Sequence, residues 1–87
     1  MATVWIPSLL RELTGNQETV AVRGSNVGEV INSLEQVYPG VKARLCDANG
    51  LRPGMAVVVD RELARFGLFQ SVAENSEVHF MPAISGG

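Results

Sequence analysis

The sequence predicts an α+β domain, in which a mixed sheet of four to five strands carries one main helix packed on one face. One observation is an apolar stripe that recurs at helical spacing between residues 26 and 38. Another is a set of short alternating or β-branched segments on both sides of that stripe. The whole chain, residues 1-87, is expected to form a single domain, because this length does not allow a second core.

The N-terminal segment predicts a β-hairpin. Residues 3–7 alternate between faces, which indicates a strand that Pro7 ends. A connecting segment and a turn at residues 14–16 lead to a second strand over residues 18–23. The residues expected to face the core are Val4, Ile6, Val20 and Val22.

The middle of the chain predicts the main helix. Asn26 has the side chain of an N-cap, and Glu29 stands three residues later in the position of a capping box. The apolar stripe consists of Val27, Val30, Ile31, Leu34, Val37 and Tyr38. Residues 39–40, a Pro-Gly pair, end the helix, and residues 41–46 add a short helical turn before a loop over 47–50.

The C-terminal half predicts three more strands. The β-branched run over residues 55–59 is typical of a central strand. A turn at 60–62, an edge strand over 63–66 and a helical turn over 68–73 follow. The last strand is expected over 77–81. The resulting order, β-β-α-β-β-β, is that of a ubiquitin-like β-grasp.

The C-terminal residues carry the strongest functional signal. Pro82 has no N–H to donate to a strand partner, so the last five residues are expected to project as a flexible tail. That tail, residues 83-87, consists of Ala83, Ile84, Ser85, Gly86 and Gly87. A frayed end or a cloning remnant is the alternative, but two terminal glycines arise by chance in roughly one chain in 200.

A tail ending in two glycines suits chemistry at its own carboxylate. Glycine lacks a Cβ, so the backbone can pass through a narrow channel into the active site of another protein. A carboxylate reacts only after activation, for which the chain has no phosphate-binding loop of its own. We therefore expect a partner to adenylate Gly87, after which the acyl group accepts sulfur as a thiocarboxylate or an amine as an isopeptide.

Four residues are expected to form a partner-binding patch. Trp5, Val58, His79 and Met81 fall on the strand faces opposite the core residues. If the first strand, the central strand over residues 55–59 and the last strand are neighbours, these side chains make one exposed apolar surface beside the tail. Scattered surface hydrophobic residues are the alternative, but Trp and Met are enriched in interfaces.

Composition argues against several classes of function. A net charge of −2 with a single lysine, Lys42, provides no basic stripe for nucleic acid. No apolar run is long enough for a membrane span or a signal peptide, so a cytoplasmic protein is expected. Cys46 is expected to be a packing residue, and His79 has no nucleophile to activate. Two such residues are too few for a metal site, so we expect neither a catalytic side chain nor a bound metal.

The chain resembles the MoaD/ThiS family of ubiquitin-like sulfur carriers over essentially its whole length. The resemblance is carried by residues 6–15, 27–31, 34–35, 38–40 and 82–87. The tail in its β-grasp context is specific for the family. The first and last of these segments resemble the branch that supplies sulfur for cysteine biosynthesis more than the molybdopterin synthase small subunit or the thiamine sulfur carrier, which stay as alternatives.

The resemblance implies a cycle in which the chain is a protein co-substrate and not an enzyme. A ubiquitin-activating-like adenylyltransferase uses ATP and magnesium to activate Gly87, and a sulfur donor converts it to the thiocarboxylate. The acceptor in the cysteine branch is an aminoacrylate on a pyridoxal-phosphate cysteine synthase, and a metalloprotease trims the adduct back to Gly87. A ubiquitin-like protein modifier or plain interaction module is the alternative of another class.

Overall fold

The computed structural model describes residues 1–82, in which a five-stranded mixed sheet has the order β2-β1-β7-β5-β6. The elements in chain order are β1 (Ala2–Trp5), a 3-10 helix (Ser8–Thr14), β2 (Thr19–Val22), α1 (Val27–Val37), α2 (Val41–Leu45), β3 (Cys46–Asp47), β4 (Gly50–Leu51), β5 (Met55–Val59), β6 (Glu62–Leu63), a second 3-10 helix (Gly67–Phe69) and β7 (Glu77–Pro82). Strands β1 and β7 run parallel, and their other neighbours are antiparallel. The predicted β-grasp is therefore confirmed.

The core lies between α1 and one face of the sheet. Inward-facing strand residues and the inner face of α1 form one cluster of buried side chains. Its members include Val4, Ile6 and Val22, as predicted, with Ile6 directly after β1, whereas Val20 is half-buried against the cluster. Strands β5 and β7 add Val57, Val59, Val78 and Phe80. The alternation of faces along a strand predicted this set, since only one face of the sheet meets a helix.

Helix α1 begins as the sequence predicts. The side chain of Asn26 accepts a hydrogen bond from the backbone N–H of Glu29, at 2.8 Å. Glu29 does not complete a capping box with Asn26, because its carboxylate accepts the backbone N–H and the hydroxyl of Ser25 instead, each at 2.8 Å. The prediction of Val37 as a core residue is wrong. Val37 is 58% exposed, since α1 ends there and Tyr38 packs against the core in its place.

The C-terminal half differs from the prediction in detail. The predicted loop over 47–50 is a hairpin of β3 and β4, which form a separate two-stranded sheet. The edge strand β6 begins at Glu62 rather than at Leu63, because Asp60 and Arg61 alone form the turn, with φ angles of 50° and 72°. Strand β7 is central, and β5 lies between β7 and β6. Within residues 1–82, none of the helices is long and apolar enough to cross a membrane.

Candidate functional site

The four predicted patch residues lie together on the sheet face opposite α1. Trp5 of β1 is the register partner of His79 in β7, and His79 is the register partner of Val58 in β5. The three side chains therefore form one row across three neighbouring strands. Met81 follows on the same face of β7, opposite Ala56. The structure thus brings the predicted residues together, and their binding of a partner stays a prediction.

The rings of Trp5 and His79 are stacked. Their centroids are 5.2 Å apart and their planes differ by 6°. The indole N–H of Trp5 donates a hydrogen bond to the carboxylate of Glu77, at 3.2 Å, so Glu77 fixes the orientation of the indole. Trp5 stays 37% exposed and Met81 39% exposed, while Val58 and His79 are half-buried. The patch therefore presents a flat aromatic surface whose indole N–H is already used.

Leu63 belongs to the patch, although the sequence reasoning did not place it there. It is the register partner of Val58 in β6, so it extends the row to a fourth strand, and its side chain is 63% exposed. The signal was available in the turn. A two-residue turn at 60–61 pairs Val59 with Glu62 and Val58 with Leu63. The prediction extended the turn to Glu62, so it did not pair Leu63 with Val58. We call the row of Trp5, His79, Val58 and Leu63, together with Met81, the sheet-face patch.

Hydrogen bonds at the start of β7 hold this row in register. Asp60 accepts the backbone N–H of Glu77 at 2.9 Å and the hydroxyl of Ser76 at 2.5 Å. The backbone N–H of Asp60 in turn donates to the carbonyl of Glu77, at 2.9 Å. The hydroxyl of Ser76 and the N–H of Glu77 lower the pKa of Asp60. The β5–β6 turn is thereby tied to β7, which keeps Val58 beside His79.

The predicted working residues Ala83, Ile84, Ser85, Gly86 and Gly87 lie outside the described residues. The description of β7 ends at Pro82, which is the register partner of Met55. Pro82 is thus within the strand, although it was expected to follow the last paired residue. The chain leaves the central strand of the sheet, on which His79 and Met81 also lie, and continues into residues 83–87.

The remaining candidate side chains give no reactive site in the described part of the chain. Cys46 is buried, and burial raises the pKa of its thiol, which disfavours the reactive thiolate. Among residues 1–82, no three His, Cys, Asp or Glu side chains come together in a way that could hold a metal ion. The buried side-chain polar atoms there all have hydrogen-bond partners. In this part of the chain the predicted patch is thus the remaining candidate site.

The chain is similar to known proteins over nearly its whole length. A family model described as the ThiS family matches residues 4–87. The chain is 38% identical to the sulfur carrier protein CysO of Mycobacterium tuberculosis over 90 residues, which cover 98% of this chain and 97% of that protein.

Solved structures of similar proteins share this fold over nearly the whole chain. A chain in the crystal structure of the Amycolatopsis orientalis BexX/CysO complex is 36% identical, with a TM-score of 0.91 and complete coverage of both chains. SAMP1 from Haloferax volcanii, a small archaeal modifier protein, is 26% identical, with a TM-score of 0.75 over 99% of this chain and 98% of its own.

Proposed function

The chain belongs to the ThiS family, and from that premise we propose that it is a sulfur carrier whose reactive group is the carboxylate of Gly87. The observation that carries the proposal is the match to a sulfur carrier protein over nearly the full length of both chains, at 38% identity. The fold agrees over the whole chain as well. In this function the protein is a co-substrate of partner enzymes, and its own side chains do no chemistry.

The reaction proceeds in two steps on the Gly87 carboxylate. A ubiquitin-activating-like adenylyltransferase, with ATP and magnesium in its own site, joins the carboxylate to AMP and releases pyrophosphate. Hydrosulfide, or a donor equivalent to it, then attacks the acyl carbon. The C–S bond forms, the bond to AMP breaks, and AMP leaves with the electron pair. The product is a thiocarboxylate, and its sulfur is the group that the carrier delivers.

The sheet-face patch is proposed to dock these partners. Its exposed apolar side chains lie on and beside β7, the strand that leads into residues 83–87. Five residues span at most about 16–18 Å, so the carboxylate of Gly87 stays within that distance of Pro82. A partner that covers the patch therefore holds the Gly87 carboxylate close to the partner's active site. This proximity replaces a catalytic side chain on the carrier.

We further propose that the sulfur enters cysteine biosynthesis, because the matched relative is CysO rather than a thiamine or molybdopterin protein. The acceptor is then a pyridoxal-phosphate cysteine synthase, and a metalloprotease restores Gly87. The molybdopterin synthase small subunit and the thiamine sulfur carrier are the alternatives within the family. A stable complex with a large synthase subunit would favour the molybdopterin alternative over cysteine.

The mass of the intact protein tests the carrier function. The protein is incubated with ATP, the adenylyltransferase and sulfide, and its C-terminal peptide is then fragmented. Replacement of one oxygen by sulfur adds about 16 Da, which we expect on Gly87 alone. The control lacks Gly87 and should stay unmodified while it keeps the circular dichroism of the parent. An unmodified full chain, or equal modification of the truncated chain, would refute the proposal.

A ubiquitin-like modifier is the second candidate, since SAMP1 from Haloferax volcanii shares the fold at 26% identity. The activated carboxylate would then acylate lysine side chains of other proteins. Tryptic digests of cell extract should contain lysines that carry residues 66–87 of this chain, because Arg65 is its last tryptic cleavage site. Their detection without any thiocarboxylate would favour the modifier. Self-linked chains can form only through Lys42, the single lysine of the sequence.

A further inference from the structure

Strand β2 forms one edge of the five-stranded sheet. Within residues 1–82, no strand lies beyond it, whereas the opposite edge, β6, is only two residues long. Strand β2 holds neither a proline nor a charged residue, so it lacks the residues that usually keep an edge strand from pairing with another chain. This edge is therefore suited to the addition of a further strand.

Two residues of β2 direct their backbone hydrogen-bonding groups away from the sheet. The N–H of Ile6 donates to the carbonyl of Glu18, at 2.8 Å. Antiparallel alternation then directs the N–H and C=O groups of the even-numbered residues of β2 towards β1. Those of Thr19 and Ala21 consequently point outward, and both residues are exposed. Within residues 1–82, no side chain or loop bonds to them.

The residues that flank β2 favour pairing with a second copy of this chain in antiparallel orientation. Glu18 precedes the strand and Arg23 follows it. Antiparallel pairing of two copies brings the acidic end of each strand beside the basic end of the other, whereas parallel pairing brings like charges together. Arg23 is exposed, and it has no ion pair among residues 1–82. Its carbonyl accepts the hydroxyl of Ser33, at 2.7 Å, which agrees with the outward alternation.

The neighbouring aromatic rings favour one register. Among the registers that pair outward-pointing groups, the one centred on Ala21 places Arg23 of the second copy opposite Thr19. Thr19 is the register partner of Trp5. One face of the indole is stacked on His79 in β7, so its other face is turned towards β2. The Cα atoms of Trp5 and of the second copy's arginine are then about 10 Å apart, two strand spacings, which lets the guanidinium reach that face.

We infer that the β2 edge is a self-association surface, on which a second copy of the chain adds in antiparallel orientation with Ala21 opposite Ala21. The two sheets then form one continuous sheet. This inference goes beyond the proposed function and does not depend on it. A single strand edge buries less surface than the interface of a stable dimer, so the association is weak, with a Kd of about 10 µM to 1 mM.

Sedimentation equilibrium of the full chain over that concentration range tests the inference. Ala21→Pro removes only an outward N–H, which an edge strand tolerates, and Ala21→Val is the matched control that keeps it. Circular dichroism checks the fold of each form. We expect the wild type and Ala21→Val to dimerise and Ala21→Pro to raise Kd about tenfold or more. A wild type that stays monomeric up to about 1 mM, or a folded Ala21→Pro with the wild-type Kd, would overturn the inference.

Disulfide cross-linking tests the register, and it does not depend on whether Ala21→Pro folds. In the inferred dimer the two Ala21 Cα atoms are about 5.5 Å apart, so Ala21→Cys should form a covalent dimer with glutathione disulfide as oxidant. The two Thr19 Cα atoms are about 14 Å apart, so Thr19→Cys is the control that should not. Cys46 is buried and is common to both variants. Absence of the Ala21→Cys dimer, or equal cross-linking of the two variants, would refute the register and the inference with it.

Discussion

Replacement of Leu63 by alanine tests the extent of the sheet-face patch. Leu63 is 63% exposed in the free protein and continues the row that Trp5, His79 and Val58 begin. Full burial of a leucine side chain is worth about 1.5–3 kcal/mol. If docking buries the exposed 63%, the change removes about 1–2 kcal/mol of binding free energy. This corresponds to a Kd for the adenylyltransferase that rises about 5- to 30-fold.

Val37→Ala is the matched control. Val37 is 58% exposed, close to the exposure of Leu63, but it ends α1 on the other side of the sheet. Its replacement should leave Kd unchanged. Both variants should keep the free energy of unfolding within about 0.5 kcal/mol of the parent, measured by urea denaturation, because neither side chain is part of the core. A Kd within twofold of the parent for Leu63→Ala, or an equal loss for both variants, would contradict our assignment of Leu63.

Two further predictions concern stability. A Cβ on Gly24 would lie 2.7 Å from the backbone nitrogen of Val30, so Gly24→Ala should lower the free energy of unfolding by about 1–3 kcal/mol in urea denaturation, and an unchanged midpoint would contradict this close packing. Hydrogen bonds lower the pKa of three carboxyls. The main donor is Ser25 for Glu29, the backbone of Lys42 for Glu35, and Ser76 for Asp60. Their contribution to stability is present above the unfolded-state pKa values and is lost as pH falls through the folded ones, so the thermal midpoint should drop below about pH 4. A midpoint that does not fall between pH 5 and pH 2 would contradict that linkage.

Face assignment and the order of the main elements along the chain followed from the sequence because they depend on periodic or covalent constraints. Alternation along β1, β5 and β7 fixes which side chains oppose the core, and a helix on one face leaves the other face exposed. Trp5 and His79 could therefore be placed on one face without coordinates. Their stacking could not, since it depends on side-chain rotamers and on the bond from Trp5 to Glu77 across 72 positions of sequence.

The features that the sequence did not predict involve very short elements. Strands β3 and β4 have two residues each, too few to show alternation, so the hairpin between them read as a loop. The β5–β6 turn was placed one residue too long because Asp60-Arg61 lacks the glycine that usually marks a two-residue turn. This error of one residue in the turn is why the prediction did not include Leu63 in the site.

The position of β7 gives the proposed carrier a consequence for the order of its reactions. His79 and Met81 lie on β7, and the same strand leads into residues 83–87. A partner that covers the sheet-face patch also receives the reactive carboxylate, because at most about 18 Å separates it from Pro82. If, as proposed, the activating enzyme and the sulfur acceptor both use this patch, they must bind in turn. The acceptor can bind only after the adenylyltransferase has left, so binding to the adenylyltransferase that is too tight would slow sulfur delivery.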